Sequence, residues 1–166
     1  GSLGLNEDRL YKTYEEMAAM EAKREDPIDF VSIVTPNFLH YEIAKKFLEH
    51  GINVVCDKPL TFTYEEAAEL DELARQKELL FCVTYTYTGY PMVKHARELI
   101  KRGDIGDIRV VIGEYSQDWL ATLAEKEGNK QAAWRTDPDK AGRANCVGDI
   151  GSHLENMVSY MTDRKS

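Results

Sequence analysis

Two short stretches carry residue types that can do chemistry. The first is Asp57-Lys58-Pro59, a carboxylate and an ammonium that directly follow the apolar run Val54-Val55-Cys56. Charges at the end of a buried strand belong in a cleft or in water, because desolvating an ion is expensive. Pro59 confines Lys58 to an extended backbone, which sets the direction in which the ammonium leaves the chain. A surface ion pair is the plainer alternative. The second stretch is GDIGSHLENMVSYMT, in which Asp149 and His153 stand four residues apart and share one face of a helix, with Asn156 continuing it. A histidine oriented by a carboxylate one turn away can be tuned to take a proton near neutral pH. A helix cap beside an incidental histidine is the alternative.

Asp149 and His153 also match metal-ligand spacing, but no third ligand is evident and His40, His50 and His95 read as helix-surface residues, so no metal is expected. In QAAWRTDP, Trp134 and Arg135 could stack on and pair with a ligand, or the tryptophan could anchor a loop.

These groups need a scaffold, and the apolar pattern supplies one. FVSIV (30–34), NVVC (53–56) and LLFCV (79–83) are short, β-branched runs of the kind that build a parallel sheet. Between the first two, Leu39, Ile43 and Phe47 recur beside Ala44 and Leu48, and Gly51 stands where a helix ends. Between the second and third, Thr63 and Glu66 fit a capping box, with Ala67, Leu70, Leu73 and Ala74 as the inward stripe. The order is therefore β-α-β-α-β. The first 24 residues add an amphipathic helix that enters the first strand through DPID.

Beyond residue 90 the pattern changes. PMVKHARELIKRG reads as a helix, DIGD as a turn, and IRVVIGEYSQDW as a strand of a half-exposed sheet. Residues 120–147 read as a long polar loop, and a domain change is placed near residue 88. In an open parallel sheet, ligands bind beyond the carboxyl ends of the strands. TPNFLH (35–40), DKPLT (57–61) and TYTYTGY (84–90) would share that edge, and all three carry hydroxyl, amide or charged groups.

The chain has 166 residues, 43% hydrophobic and 30% charged, enough for one ordinary domain or two small ones. A net charge of −8 argues against nucleic acid or an anionic membrane as partner. No apolar run reaches the length of a spanning helix and no signal peptide opens the chain, so the expected location is cytoplasmic. Cys56, Cys82 and Cys146 form no close pair, which points away from a disulfide framework, and Cys56 and Cys82 are expected to be buried strand residues.

Taken in order, VSIVTPNFLHYEIAKKFLEHGINVVCDKPLTFTYEEAAEL, GDIGDIRVV, WRTDP and VGDIGSH resemble the Gfo/Idh/MocA family of nicotinamide-dependent oxidoreductases, over about residues 28–162. The resemblance implies an α/β chain: a partial Rossmann-like parallel sheet (1–88), then the start of an α+β substrate and oligomerisation domain (89–166). It implies NAD or NADP as cofactor, a sugar or polyol as substrate, and a homo-oligomer. By the same resemblance Thr35, Pro36 and Asn37 line the dinucleotide with His40 close by, and Asp57 helps to hold the nicotinamide riboside. Lys58 would hydrogen-bond the substrate hydroxyl or carbonyl. Asp149 would contact substrate, and His153 would remove the hydroxyl proton as hydride leaves carbon. Trp134 and Arg135 would close over cofactor and substrate.

Two departures stand out. The usual Glu-Lys-Pro is Asp57-Lys58-Pro59 here, and many members have an asparagine-arginine pair where this chain has Tyr85, Thr86 and Tyr87. Tyr85 and Tyr87 suit stacking on a sugar ring. The Gly-x-Gly-x-x-Gly turn and the acidic ribose reader are not among these residues, and the chain is expected to be truncated at both ends. Weak or no activity is expected of this exact chain. The alternative reading is a non-catalytic product that binds sugar or another protein, and a generic α/β domain without a site is a third.

Overall fold

The computed structural model describes residue 4 and residues 6–163. After α1 (Tyr14–Glu21), three strands, β1 (Phe30–Ile33), β2 (Asn53–Cys56) and β3 (Phe81–Val83), form one parallel sheet in the order β1-β2-β3. Its register pairs Ile33 with Cys56 and Cys56 with Val83. The connections are α2 (His40–Glu49) and α3 (Tyr64–Gln76). Parallel crossovers are right-handed, and two that step in the same direction place both helices on one face of the sheet.

The core follows that geometry. Val31, Ile33, Val54 and Cys56 of the sheet meet Ile43, Ala44, Phe47 and Leu48 of α2 and Leu70 and Ala74 of α3. The Val, Ile, Leu and Phe side chains among them each gain about 1.5–3 kcal/mol by leaving water. The opposite face is open among the described residues: Phe30 is 54% exposed, and Ser32 and Cys82 are exposed. Cys82 therefore corrects the expectation of a buried thiol, because its strand parity points it away from the helices. Cys56 is buried as expected, and burial pushes its thiol up to about 12.

The helix boundaries have local causes. Thr63 Oγ1 accepts from the Glu66 N–H at 3.2 Å while the Glu66 carboxylate accepts from the Thr63 N–H at 3.2 Å, which is the expected capping box. α2 ends as Gly51 takes a φ of 78°, with the Gly51 N–H donating to Leu48 and the Ile52 N–H to Phe47. α3 ends by the same motif with Glu78, φ 56°, in the glycine position. α1 differs from the expected apolar stripe. Alongside Ala18 it buries Glu21, whose carboxylate accepts from the Tyr11 hydroxyl and from the Ile28 N–H just before β1.

Two compact units result. The first comprises the described residues up to Thr35 together with Leu39–Val83, and the second Pro36–Phe38 together with the described residues from Thr84 onward. The outer ends of the expected ranges 1–88 and 89–166 lie outside the described residues.

In the second unit, α4 (Pro91–Lys101) packs on α7 (Ser152–Thr162), with the Arg97 guanidinium 4.5 Å from the centre of the Tyr160 ring. Two expectations are corrected. Residues 120–147 are not one loop: they contain α5 (Lys130–Arg135), capped by Asn129, and α6 (Pro138–Ala141), capped by Asp137. IRVVIGEYSQDW makes no ladder with any described residue, and Ile112 is 91% exposed. An alternating run becomes a strand only where a neighbour completes its hydrogen bonds, and no described residue does so here.

Candidate active site

In the first unit, the site begins where β1 and β2 end. The Asp57 N–H donates to the Ile33 carbonyl at 2.9 Å, so the ladder continues one residue past Cys56 and delivers Asp57 and Lys58 to the carboxyl edge. Both are half-buried there, outside the core. The Lys58–Pro59 peptide bond is cis. His40, expected on a helix surface, is instead fully buried beneath this edge, with Nδ1 2.8 Å from the Pro59 carbonyl oxygen and Nε2 2.9 Å from that of Thr35. Both nitrogens of the residue expected beside the dinucleotide are thus spent on backbone.

Thr35 Oγ1 is buried without a hydrogen-bond partner among the described residues. A buried hydroxyl without a partner carries a desolvation cost that a polar ligand group relieves. Thr35, Asp57 and Lys58 at one sheet edge therefore fit the nicotinamide end of a dinucleotide.

In the second unit, the centre is His153, which is buried. The Tyr87 ring lies 4.6 Å from it, tilted by 45°, and the Tyr85 ring stands 5.8 Å away at 85°. Tyr87 is itself stacked on Tyr115 at 6.0 Å, and the two hydroxyls are 3.0 Å apart. That hydrogen bond first, and desolvation second, raise the Tyr87 phenol above its ordinary range. Burial raises that of Tyr85. Asn156 Oδ1, further along α7, is buried without a hydrogen-bond partner among the described residues.

Asp149 does not sit on a regular α-helix with His153, as its spacing implied. It lies in one turn of π-helix, Val147–Gly151, that runs into α7. The Ser152 hydroxyl donates to the Gly148 carbonyl at 2.8 Å, and a Cβ on Gly151 would lie 3.2 Å from the Val147 side chain. Such turns often mark functional sites because they rotate side chains out of helical register.

Arg135 Nε is 3.8 Å from Asp149 Oδ1. Its guanidinium lies 4.6 Å from the Trp134 ring and 5.6 Å from the Trp119 ring. Gln131 Oε1 accepts from both Trp134 Nε1 and Arg135 Nη1. Asn37 Nδ2 donates to the Ala141 carbonyl at 3.1 Å. Asn37, Trp119, Trp134, Arg135, Asn145 and Asp149 are among the residues that line a cavity of 50 Å³. Tyr115, Trp119 and Leu120 line a wider groove of 370 Å³ with Val147, Ile150 and Leu154.

Thr35, His40, Asp57 and Lys58 thus gather in the first unit, and Tyr85, Tyr87, Trp134, Arg135, Asp149 and His153 belong to the second. Pro36 and Asn37 also fall in the second. Tyr115, Trp119 and Gln131 escaped the sequence reading. The signal for the first two, aromatic residues beside Gln117 in YSQDW, is absorbed by the expected strand, and Gln131 opens the QAAWRTDP stretch in which only Trp134 and Arg135 stood out. No group of three or more potential metal ligands occurs among the described residues.

The chain is similar to known proteins in sequence and fold. Residues 4–85 match the family model described as "Oxidoreductase family, NAD-binding Rossmann fold", and residues 93–165 match "GFO/IDH/MocA C-terminal domain". The uncharacterised oxidoreductase YfiI of Bacillus subtilis is 45% identical over 94% of the chain, which covers 40% of that protein. Levoglucosan dehydrogenase of Pseudarthrobacter phenanthrenivorans is 36% identical over 82% of the chain, which covers 34% of it. An inositol dehydrogenase homolog of Azotobacter vinelandii, solved with NAD+, superposes with a TM-score of 0.94 at 37% identity, over 98% of this chain and 41% of that one. The chain thus spans about two fifths or less of the length of these relatives.

Proposed function

Because the chain belongs to the Gfo/Idh/MocA family of oxidoreductases, we propose that it serves a dehydrogenase that moves a hydride between NAD or NADP and a sugar or polyol hydroxyl. The observation that carries this reading is the setting of His153, a buried imidazole walled by Tyr85 and Tyr87 and preceded by the π-turn that holds Asp149. Relatives named for levoglucosan and inositol support the substrate class.

The chemistry that a bound nicotinamide supplies is the acceptance or return of a hydride at carbon. His153 takes the proton from the reacting hydroxyl, and Asp149 contacts the substrate beside it. Lys58 donates a hydrogen bond to the reacting oxygen, which favours the charge that develops there. Thr35, Pro36, Asn37 and Asp57 hold the dinucleotide. Trp134 and Arg135 close over it, and Tyr85 and Tyr87 face the sugar ring, whose C–H bonds pack on aromatic faces.

No helix among the described residues is long and apolar enough to cross a membrane. A cytoplasmic location and self-association are part of the proposal.

The test screens the full-length protein with sugars and polyols, levoglucosan and myo-inositol among them, against NAD and NADP, following nicotinamide absorbance. His153→Ala and Lys58→Ala are each expected to lower kcat by about 10²- to 10⁴-fold. Undiminished turnover in either would overturn its role. Sugar binding without turnover would favour the non-catalytic alternative.

A further inference from the structure

His40 faces two acceptors. Its Nδ1 lies 2.8 Å from the Pro59 carbonyl oxygen and its Nε2 2.9 Å from the Thr35 carbonyl oxygen, and the ring is 0% exposed. A carbonyl oxygen can only accept, and a neutral imidazole has one N–H and one bare nitrogen. Either neutral tautomer therefore satisfies one carbonyl and sets a nitrogen lone pair against the other. Turning the ring over puts carbon where each nitrogen stood, so the orientation is not ambiguous. Only the imidazolium donates at both ends.

We propose that His40 is held doubly protonated and acts as a two-ended strut, a positioning residue that fixes the loop carrying Lys58 against the loop carrying Thr35. Burial and the N-terminus of α2, which starts at His40, both work against a cation here. Two charge-assisted hydrogen bonds, each about twice as strong as a neutral one, work for it. The consequence is local and geometric. Pro59 directly follows Lys58, so anchoring the Pro59 carbonyl restrains the backbone from which the ammonium projects. Thr35 follows the end of β1 by two residues, so anchoring its carbonyl ties that restraint to the sheet. One buried ring thereby spaces the two loops.

The protonation state is independent of the proposed activity, and only the catalytic consequence rests on the dehydrogenase reading. The first experiment is a nitrogen-15 correlation spectrum of the histidine rings in the unaltered chain at neutral pH, with His40 assigned by its disappearance in His40→Gln. Two protonated ring nitrogens at His40 are expected, and one protonated and one bare nitrogen would overturn the proposal. That readout needs no variant to fold well, because His50, His95 and His153 can be assigned by their own substitutions.

The second experiment uses the active full-length protein. His40→Gln, whose amide reaches one carbonyl at most, is expected to lower kcat about tenfold with the KM for dinucleotide unchanged. A raised dinucleotide KM with kcat unchanged would make His40 a cofactor contact and overturn the strut.

Discussion

The Tyr87 and His153 rings lie 4.6 Å apart, centre to centre, and the Tyr87 hydroxyl is joined at 3.0 Å to that of Tyr115. The histidine proposed to accept a proton thus rests on an aromatic wall that is itself held from behind. Tyr87→Ala is expected to lower kcat/KM for the sugar or polyol by about tenfold, the upper range of an aromatic contact. Tyr87→Phe keeps the wall and loses only the bond to Tyr115, so steady-state kinetics should rank it between the two.

The thiols make a simple map of burial. Cys82 and Cys146 are exposed, whereas Cys56 is buried and its pKa is pushed up to about 12. Alkylation needs the thiolate. Mass spectrometry after brief treatment of the folded chain with iodoacetamide at pH 8 should show label on Cys82 and Cys146 and none on Cys56, which reacts once denaturant is added.

Glu78 occupies the left-handed position that ends α3, at φ 56°. A side chain pays a steric penalty there that glycine escapes. Glu78→Gly is expected to stabilise the first unit by about 1 kcal/mol, read as a higher urea midpoint with an unchanged slope.

At the other end of the same helix, Thr63→Ala removes an acceptor from the Glu66 N–H. It should cost about 1 kcal/mol in the same denaturation experiment.

Glu69 links α3 to α2 through Lys45, at 2.6 Å, and the Tyr41 hydroxyl, at 2.6 Å. The bond from Lys45 first, and that from Tyr41 second, lower its carboxyl below the usual range. A depressed folded pKa gives stability that is complete above the unfolded value, about 4.3, and lost as pH falls through the folded one. Glu69→Gln should therefore be less stable than the parent at pH 7, and the difference should shrink as pH falls below about 4.3.

The elements that were legible in advance are those whose cause is local. Thr63 and Glu66 announce a capping box within four residues, Gly51 announces a helix end, and short β-branched runs mark all three strands. The same grammar was available for α5 and α6 in Asn129 and in Asp137-Pro138, but the surrounding polarity outweighed it. Other features depend on partners distant in sequence. Nothing near Cys82 says which face of the sheet the helices cover, and nothing near Ile112 says whether a neighbouring strand exists. The π-turn at Asp149 falls between these cases. Gly148 and Gly151 permit it, but the spacing of Asp149 and His153 reads as an ordinary helix.

The one-sided packing of the sheet has a further meaning for how this sequence can drift. Along β1 and β2, Val31, Ile33, Val54 and Cys56 are locked against helices, while Phe30, Ser32, Asn53 and Val55, between them, are not buried. Tolerance to mutation should therefore alternate with a period of two along β1 and at Val54-Val55-Cys56, whereas Asn53 breaks the beat, because its amide donates to the Asp29 carbonyl and accepts from the Leu80 N–H.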